Sequence, residues 1–457
     1  MVIRYRSRQK DVTIQFSCLK HHYHPNLKVI LIPTLNVSLD KHLEGFEPPL
    51  EDKRKKLAQE KSYAILNHIK DTRKLFDSFP LKKNLFGSTS PSVFVGRSNY
   101  PDVSAGILAP LNSDSDASHF ATSSDWYHKN LQIEDILQYR IGLLNSNRST
   151  PVNVYDVWDG FVGVQREVAI SAQPVDVELS LVNKPKLDFS PNNMTAAIGF
   201  HADVESARIV DNPKVPKPVE TTLSDDDLDA KGAISFLYKK GLDVYDIHRI
   251  FSVGAIGLRN QRRLVPTRWS ITAVDDMVGK LLHKQVLALP NIDGVTVWRN
   301  NYIGNTYWVF LIPGTWEFEL IEIKSPGSIW NPSLSNRIWI SSEYEGYEGR
   351  TSYAKETAGA YYAARLGVLE HLLSVKKQCK CLVIREVSDA YWAPVGVWQI
   401  RESIRNAFKE EPYHFDNFHT ALTQVSNSLS LPLDDLKSKS TILTGIQSKL
   451  ADFSPHS

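Results

Sequence analysis

The sequence predicts a mixed α/β fold of the α+β kind, with a large globular body and a mobile C-terminal tail. Three observations point there. Strand-like alternation and helix-like periodicity both recur along the chain, with no internal repeat of solenoid length. The composition is 42% hydrophobic and 23% charged, and 10 Trp, 18 Tyr and 18 Phe supply the bulk for a sizeable core. Beyond Pro432 the chain turns polar and rich in Ser and Lys, which predicts mobility.

In chain order, Val12–Phe16 and residues 27–32 read as two short strands. Residues 51–76 have helical periodicity, with Leu57, Ile65, Ile69 and Leu75 facing inward. Ser88–Pro91 breaks that pattern, and Ser92–Arg97 reads as strand. Residues 109–125, rich in Ser, Asp and Asn, form a surface loop, and 133–144 a helix. Residues 150–181 predict strands around Tyr155, Trp158 and Phe161. Pro213, Pro216 and Pro218 predict an extended stretch over 211–220, and Ser224–Asp227 a helix start. Two helices follow within 233–258, separated near Gly241. Strands are predicted over 294–299, 306–312, 317–323 and 381–386, and helices over 352–375, 396–408 and 415–429. The organisation that results is an N-terminal region 1–84, a β-rich domain 85–220, an α/β domain 221–410, and a helix with mobile tail over 411–457.

Length favours several domains or one large core with embellishments. The net charge of +2 gives no global pull on nucleic acid and leaves room for a local basic stripe. Only Cys18, Cys379 and Cys381 are present, which argues against a disulfide framework and fits a reducing, cytoplasmic setting. The first ten residues are basic and polar, unlike a signal peptide, and no apolar run approaches the roughly 18 residues that span a bilayer, so no membrane is expected.

Candidate chemistry gathers in the C-terminal part. Asp275 and Asp276 precede an apolar helical pattern; Thr272 with Asp275 also reads as a capping box. In Glu317–Lys324, Leu320–Ile321 breaks the charge alternation, so Glu322 and Lys324 face away from Glu319. An acid-x-Lys step at a strand end, with an upstream Asp and with Glu345 nearby, is the layout in which carboxylates hold Mg²⁺ and Lys orients the attacking water. A weaker pattern, Ser88–Ser90 with later Glu-x-Glu steps, suggests ADP-ribosyl transfer. Buried arginines such as Arg268 and Arg365 would need acidic or phosphate partners, an intramolecular Arg–Glu pair being the plainer option. Arg97, Arg350 and Tyr353 complete a set suited to phosphate or nucleic acid. Cys18 with His21, His22 and His24 lacks the two separated ligand pairs of a closed zinc site, so zinc is not expected. No phosphate loop of the GxxxxGK[ST] type and no GxSxG elbow occurs.

Five segments, PSVFVGR from Pro91, NPKVPKPVE from Asn212, RLVPTRWSITAVDD from Arg263, RTSYAKETAGAYYAARLGVL from Arg350 and YWAPVGVWQIRE from Tyr391, together resemble the archaeal Nre family and fall in the family's order. The resemblance implies repair of DNA damage, DNA as a partner, and a C-terminal peptide that binds the sliding clamp (PCNA). It also implies an N-terminal cluster of CxxC-type cysteines, where this chain offers only Cys18. The tail Gln447–Ser454 is similar to the clamp-binding pattern Q-x-x-hydrophobic-x-x-aromatic-aromatic, with Ser454 in place of the last aromatic. A 3₁₀ turn eclipses residues three apart, so Leu450 and Phe453 would project together while Gln447 hydrogen-bonds at the rim. Losing the second aromatic weakens such an anchor by roughly 2 kcal/mol where it would be a hot spot. The functional expectations are a clamp-recruited DNA repair factor, a metal-dependent DNA-processing or nucleotide-transferring enzyme, or a clamp adaptor without DNA contact.

Overall fold

The structure of the chain, a computed structural model, describes residues 2–6, 11–15, 81–112, 116–120, 123–154, 158, 160–187, 199–326, 328, 330–332 and 337–445. The helix expected over 51–76, the Cys18–His24 cluster and the Gln447–Ser454 tail lie outside these residues. The chain divides into two compact units, 1–55 and 56–457. In the first, strands β1 (Val2–Arg6) and β2 (Asp11–Gln15) pair antiparallel, Val2 opposite Gln15.

The second unit contains two mixed sheets and the helices packed on them, the α+β class read from the sequence. In chain order the first sheet uses β3 (Asn84–Thr89), β4 (Val93–Val95), β5 (Asp102–Pro110), β6 (Leu143–Pro151), β7 (Val175–Leu181), β8 (Lys186–Leu187) and β9 (Phe200–Ile209). Its order is β3-β7-β9-β6-β5-β4, with β8 on β9 and a parallel β6–β9 pair. The second sheet uses β10 (Val295–Tyr302), β11 (Asn305–Ile312), β12 (Glu317–Lys324), β13 (Trp339–Glu345), β14 (Lys380–Val387) and β15 (Tyr413–Phe415). Its order is β13-β12-β14-β11-β10-β15, with β12 and β14 parallel.

Helices α1 (Ser123–His128), α2 (Ile133–Ile141) and α3 (Gly160–Ile170) accompany the first sheet. Then come α4 (Lys217–Ser224), α5 (Ala230–Lys239), α6 (Val244–Ser252) and the 20-residue α7 (Thr267–Val286). The second half adds α8 (Gly359–Val375), α9 (Trp398–Ala407), α10 (Phe418–Ser426) and α11 (Leu433–Lys439). α7 packs along α8 and α6, and α8 along α9. From Gly359 to Leu369 α8 is buried on every side, which its small residues Gly359, Ala360, Ala363, Ala364 and Gly367 permit. Among the described residues, no helix is long and apolar enough to cross a membrane.

One large core joins the first sheet, the central helices and one face of the second sheet. The opposite face of that sheet carries a second core, where Phe310, Ile321, Ile323 and Ile384 meet Phe418, Leu422 and Leu436. Each such side chain contributes roughly 1.5–3 kcal/mol on burial.

Several local expectations change here. Residues 160–170 form α3 rather than strand. Phe161, Val162, Gln165, Val168 and Ala169 are buried at helical spacing, and this packing overrides the strand preference of the valines. α4 begins inside the stretch read as extended, with Pro216 as N-cap and Pro218 in the first turn, where a missing N–H costs nothing. Ser224 ends α4, and Asp229 caps α5 by accepting from the Gly232 N–H. α7 starts at Thr267 after Pro266, so Thr272 is interior and donates to the Arg268 carbonyl instead of capping. Residues beyond Pro432 are not all mobile. Leu436, Ile442 and Leu443 are buried in the second core.

Candidate functional site

The N-terminal half of α7 separates two cavities. Side chains four apart share a helix face. Thr267, Ile271 and Asp275 line a cavity of about 350 Å³ with Phe94, Trp126, His248, Trp398 and Arg401. Arg268, Thr272 and Asp276, with Trp269 and Ala273, line an open cleft of about 490 Å³ completed by Arg97, Tyr353 and Tyr362. Arg268 also borders a smaller cleft of about 120 Å³ at the start of α8, with Glu322, Lys324, Thr357 and Arg385. Four of the five segments singled out in the sequence thus meet around α7.

The open cleft is aromatic and basic. Trp269, Tyr353 and the neighbouring Tyr100 are 47%, 46% and 49% exposed, although aromatic rings of this size are usually covered. The Tyr100 and Trp269 rings lie 5.9 Å apart, and Tyr353 and Tyr362 5.6 Å apart. Burial, and then the like charge of Arg97, lower the Arg268 pKa, so two guanidinium groups share this wall. The acid beside them is committed elsewhere: Asp276 accepts from Lys280 at 2.6 Å and lies 3.5 Å from Arg365.

The other expected site residues disperse. Asp275, one residue before Asp276, is buried and paired with Arg401. Burial raises the Asp275 pKa against the opposing pull of Arg401. Arg365, expected at a phosphate, is 1% exposed and donates to Glu345 at 2.7 Å. Glu345 also accepts from Trp316 Nε1 at 3.0 Å. Arg350 donates to Glu343 at 2.7 Å and lies over the Tyr361 ring. These are intramolecular pairs.

β12 separates the remaining acids by its alternation. Glu319 faces the second core and is fully buried. It accepts from Ser342 and Ser440 hydroxyls and from the Thr441 and Ile442 N–H groups, which caps the helical turn following α11. Glu322 and Lys324 face the small cleft. Glu322 bonds Arg385 through one oxygen and Lys324, at 2.9 Å, through the other. Burial opposes ionisation of Glu322, yet Lys324 and Arg385 override it and hold the pKa down. Both Glu322 oxygens therefore have cationic partners, and Asp276, Glu319 and Glu345 face elsewhere. This donor set does not fit the Mg²⁺ arrangement. Among the described residues, no group of three or more His, Cys, Asp or Glu could hold a metal. Thr89 and Ser90 are buried in the first sheet, with Thr89 donating to the Leu108 carbonyl, while Glu317 on the second sheet pairs with Lys380. The ADP-ribosyl-transfer pattern thus forms no single site.

Sequence reasoning missed Trp269, Tyr100, Thr357, Arg385 and Gln399. Trp269 carried a signal: at helical spacing it shares a face with Thr272 and Asp276.

Comparison with known proteins finds two family models. "Archaeal Nre, N-terminal" matches residues 57–331, and "Archaeal Nre, C-terminal" matches 345–453. The chain is 52% identical over 418 residues, 91% of its length, to the DNA repair protein NreA of Haloferax volcanii, 99% of which is covered. It is 35% identical to the DNA repair protein NreA of Archaeoglobus fulgidus, over 80% of this chain and 88% of that protein. The same organism's DNA repair protein NreB is 31% identical, over 82% and 93% respectively. No solved structure matches the chain.

Proposed function

The chain belongs to the archaeal Nre family, and from that premise we propose that it is a DNA repair factor that holds DNA in the open cleft beside α7 and is recruited to the sliding clamp by Gln447, Leu450 and Phe453. The observation that carries the DNA reading is the pairing of Arg97 and Arg268 with the exposed rings of Tyr100, Trp269 and Tyr353. Guanidinium groups bind phosphates, and exposed rings stack on unpaired bases whatever their identity. The cleft therefore suits single-stranded or locally opened DNA better than a regular duplex. The tail reading rests on the Gln-x-x-Leu-x-x-Phe spacing.

Fluorescence anisotropy with a single-stranded oligonucleotide over a salt series tests DNA binding. Each phosphate contact removed flattens the slope of log K against log salt by roughly 0.7. Arg97→Gln with Arg268→Gln is expected to lower that slope by about twice this amount; an unchanged slope contradicts the reading. For the clamp, removal of residues 447–457 is expected to abolish pull-down and leave DNA affinity intact. Retained clamp binding excludes the tail as the ligand.

A further inference from the structure

The small cleft at the start of α8 has features that the DNA reading does not use. α8 is 17 residues long, and its N-cap, Ala358, makes no side-chain capping bond. The first turn of a helix presents N–H groups without intrahelical acceptors and the positive end of its dipole. Independently, a buried side chain lining this cleft lacks a partner: Thr357, 5% exposed, has its hydroxyl unbonded. A hydroxyl can donate. Lys324, Arg268 and Arg385 add three cations against Glu322 and Glu356. The unsatisfied hydroxyl, the helix terminus and the excess charge all favour a compact ligand that accepts hydrogen bonds.

We propose that this cleft binds a phosphoryl group, the phosphate of a nucleotide whose base lies on the aromatic wall of the neighbouring cleft. Its volume of about 120 Å³ accommodates one such group. Arg268 borders both clefts, so one nucleotide can span them. The placement of the base rests on the DNA reading above; the phosphate site itself does not.

Calorimetric titration of the full chain with inorganic phosphate tests the site. Thr357→Val removes only the unpartnered hydroxyl and keeps the side-chain shape, so thermal stability is expected to hold while phosphate affinity falls at least tenfold. Lys324→Met is expected to weaken phosphate further and also to lower stability, because Lys324 pairs with buried Glu322, so it is titrated well below its own melting temperature. Absence of saturable phosphate binding by the natural chain, or equal affinity in Thr357→Val, overturns the proposal. Competition by a deoxynucleoside monophosphate and by oligonucleotides with and without a 5′-phosphate then identifies the source. A preference for the 5′-phosphorylated strand means a strand end, and a preference for the monophosphate means a free nucleotide; either keeps the site. If DNA affinity is insensitive to Trp269→Ala while phosphate binding persists, the aromatic-cleft reading fails and the phosphate site stands.

Discussion

Asp275→Asn offers a sharp test of how the acids of α7 divide their roles. The Asp275 and Arg401 side chains are each 2% exposed and hydrogen-bonded to one another, while the Arg401 guanidinium also lies 4.8 Å from the centre of the Tyr245 ring. Removing the carboxylate charge leaves a buried guanidinium without its anionic partner. Breaking a buried pair from one side costs about 3–5 kcal/mol. The adjacent Asp276 is 23% exposed, and its partner Lys280 is 44% exposed, so solvent screens that pair. Asp276→Asn is therefore expected to cost about 1 kcal/mol or less through Lys280. Urea unfolding of both variants measures the difference. A double substitution, Asp275→Leu with Arg401→Met, removes both charges and is expected to be less destabilising than Asp275→Asn alone. If Asp275→Asn lies within about 1 kcal/mol of the natural chain but loses DNA affinity, the buried pair is functional rather than structural and this reasoning fails.

His248 gives a pH signature. Burial, and then the charges of Arg401 and Arg249, lower its pKa from 6.5 to about 3. The folded chain keeps it neutral while the unfolded chain protonates it below 6.5, so its contribution to stability is full above that pH and is lost progressively towards pH 3. At pH 5 the loss is about 2 kcal/mol. His248→Asn is expected to lose less stability than the natural chain between pH 7 and pH 5, and equal losses in urea unfolding would count against this. Ala358 holds φ 48° and ψ −125°, a left-handed conformation that a side chain disfavours. Ala358→Gly is expected to raise stability by about 1 kcal/mol once the added freedom of the unfolded chain offsets part of the relieved strain; a fall in melting temperature argues otherwise.

Much of the fold was legible because alternation and periodicity are local. β12 shows this well: breaking the alternation at Leu320–Ile321 separated Glu319 from Glu322, and the two do face opposite cores. α5 and α6 part around Gly241, where φ of 91° suits glycine. α3 was illegible because Val162, Val164 and Val168 prefer strands, and only packing against the first sheet makes them helical. The site was less legible than the fold. Asp275 and Asp276 are neighbours in sequence, yet a helix turns about 100° per residue and sends them to different cavities. Which face meets which cavity depends on α8 and α9, nearly a hundred residues or more away. Thr357 is a common residue type, and only burial without a partner marks it.

Binding at the open cleft is tested most directly by the affinity of single-stranded DNA for Trp269→Ala compared with Tyr413→Ala. Both rings are exposed, at 47% and 52%, but Tyr413 lies on β15, at the edge of the second sheet opposite β13. Loss of a stacked base contact is worth about 1–3 kcal/mol. The expected result is a 5- to 150-fold weaker complex, on the order of that energy, for Trp269→Ala and no change for Tyr413→Ala. Equal affinities for the two variants would contradict DNA binding at this cleft.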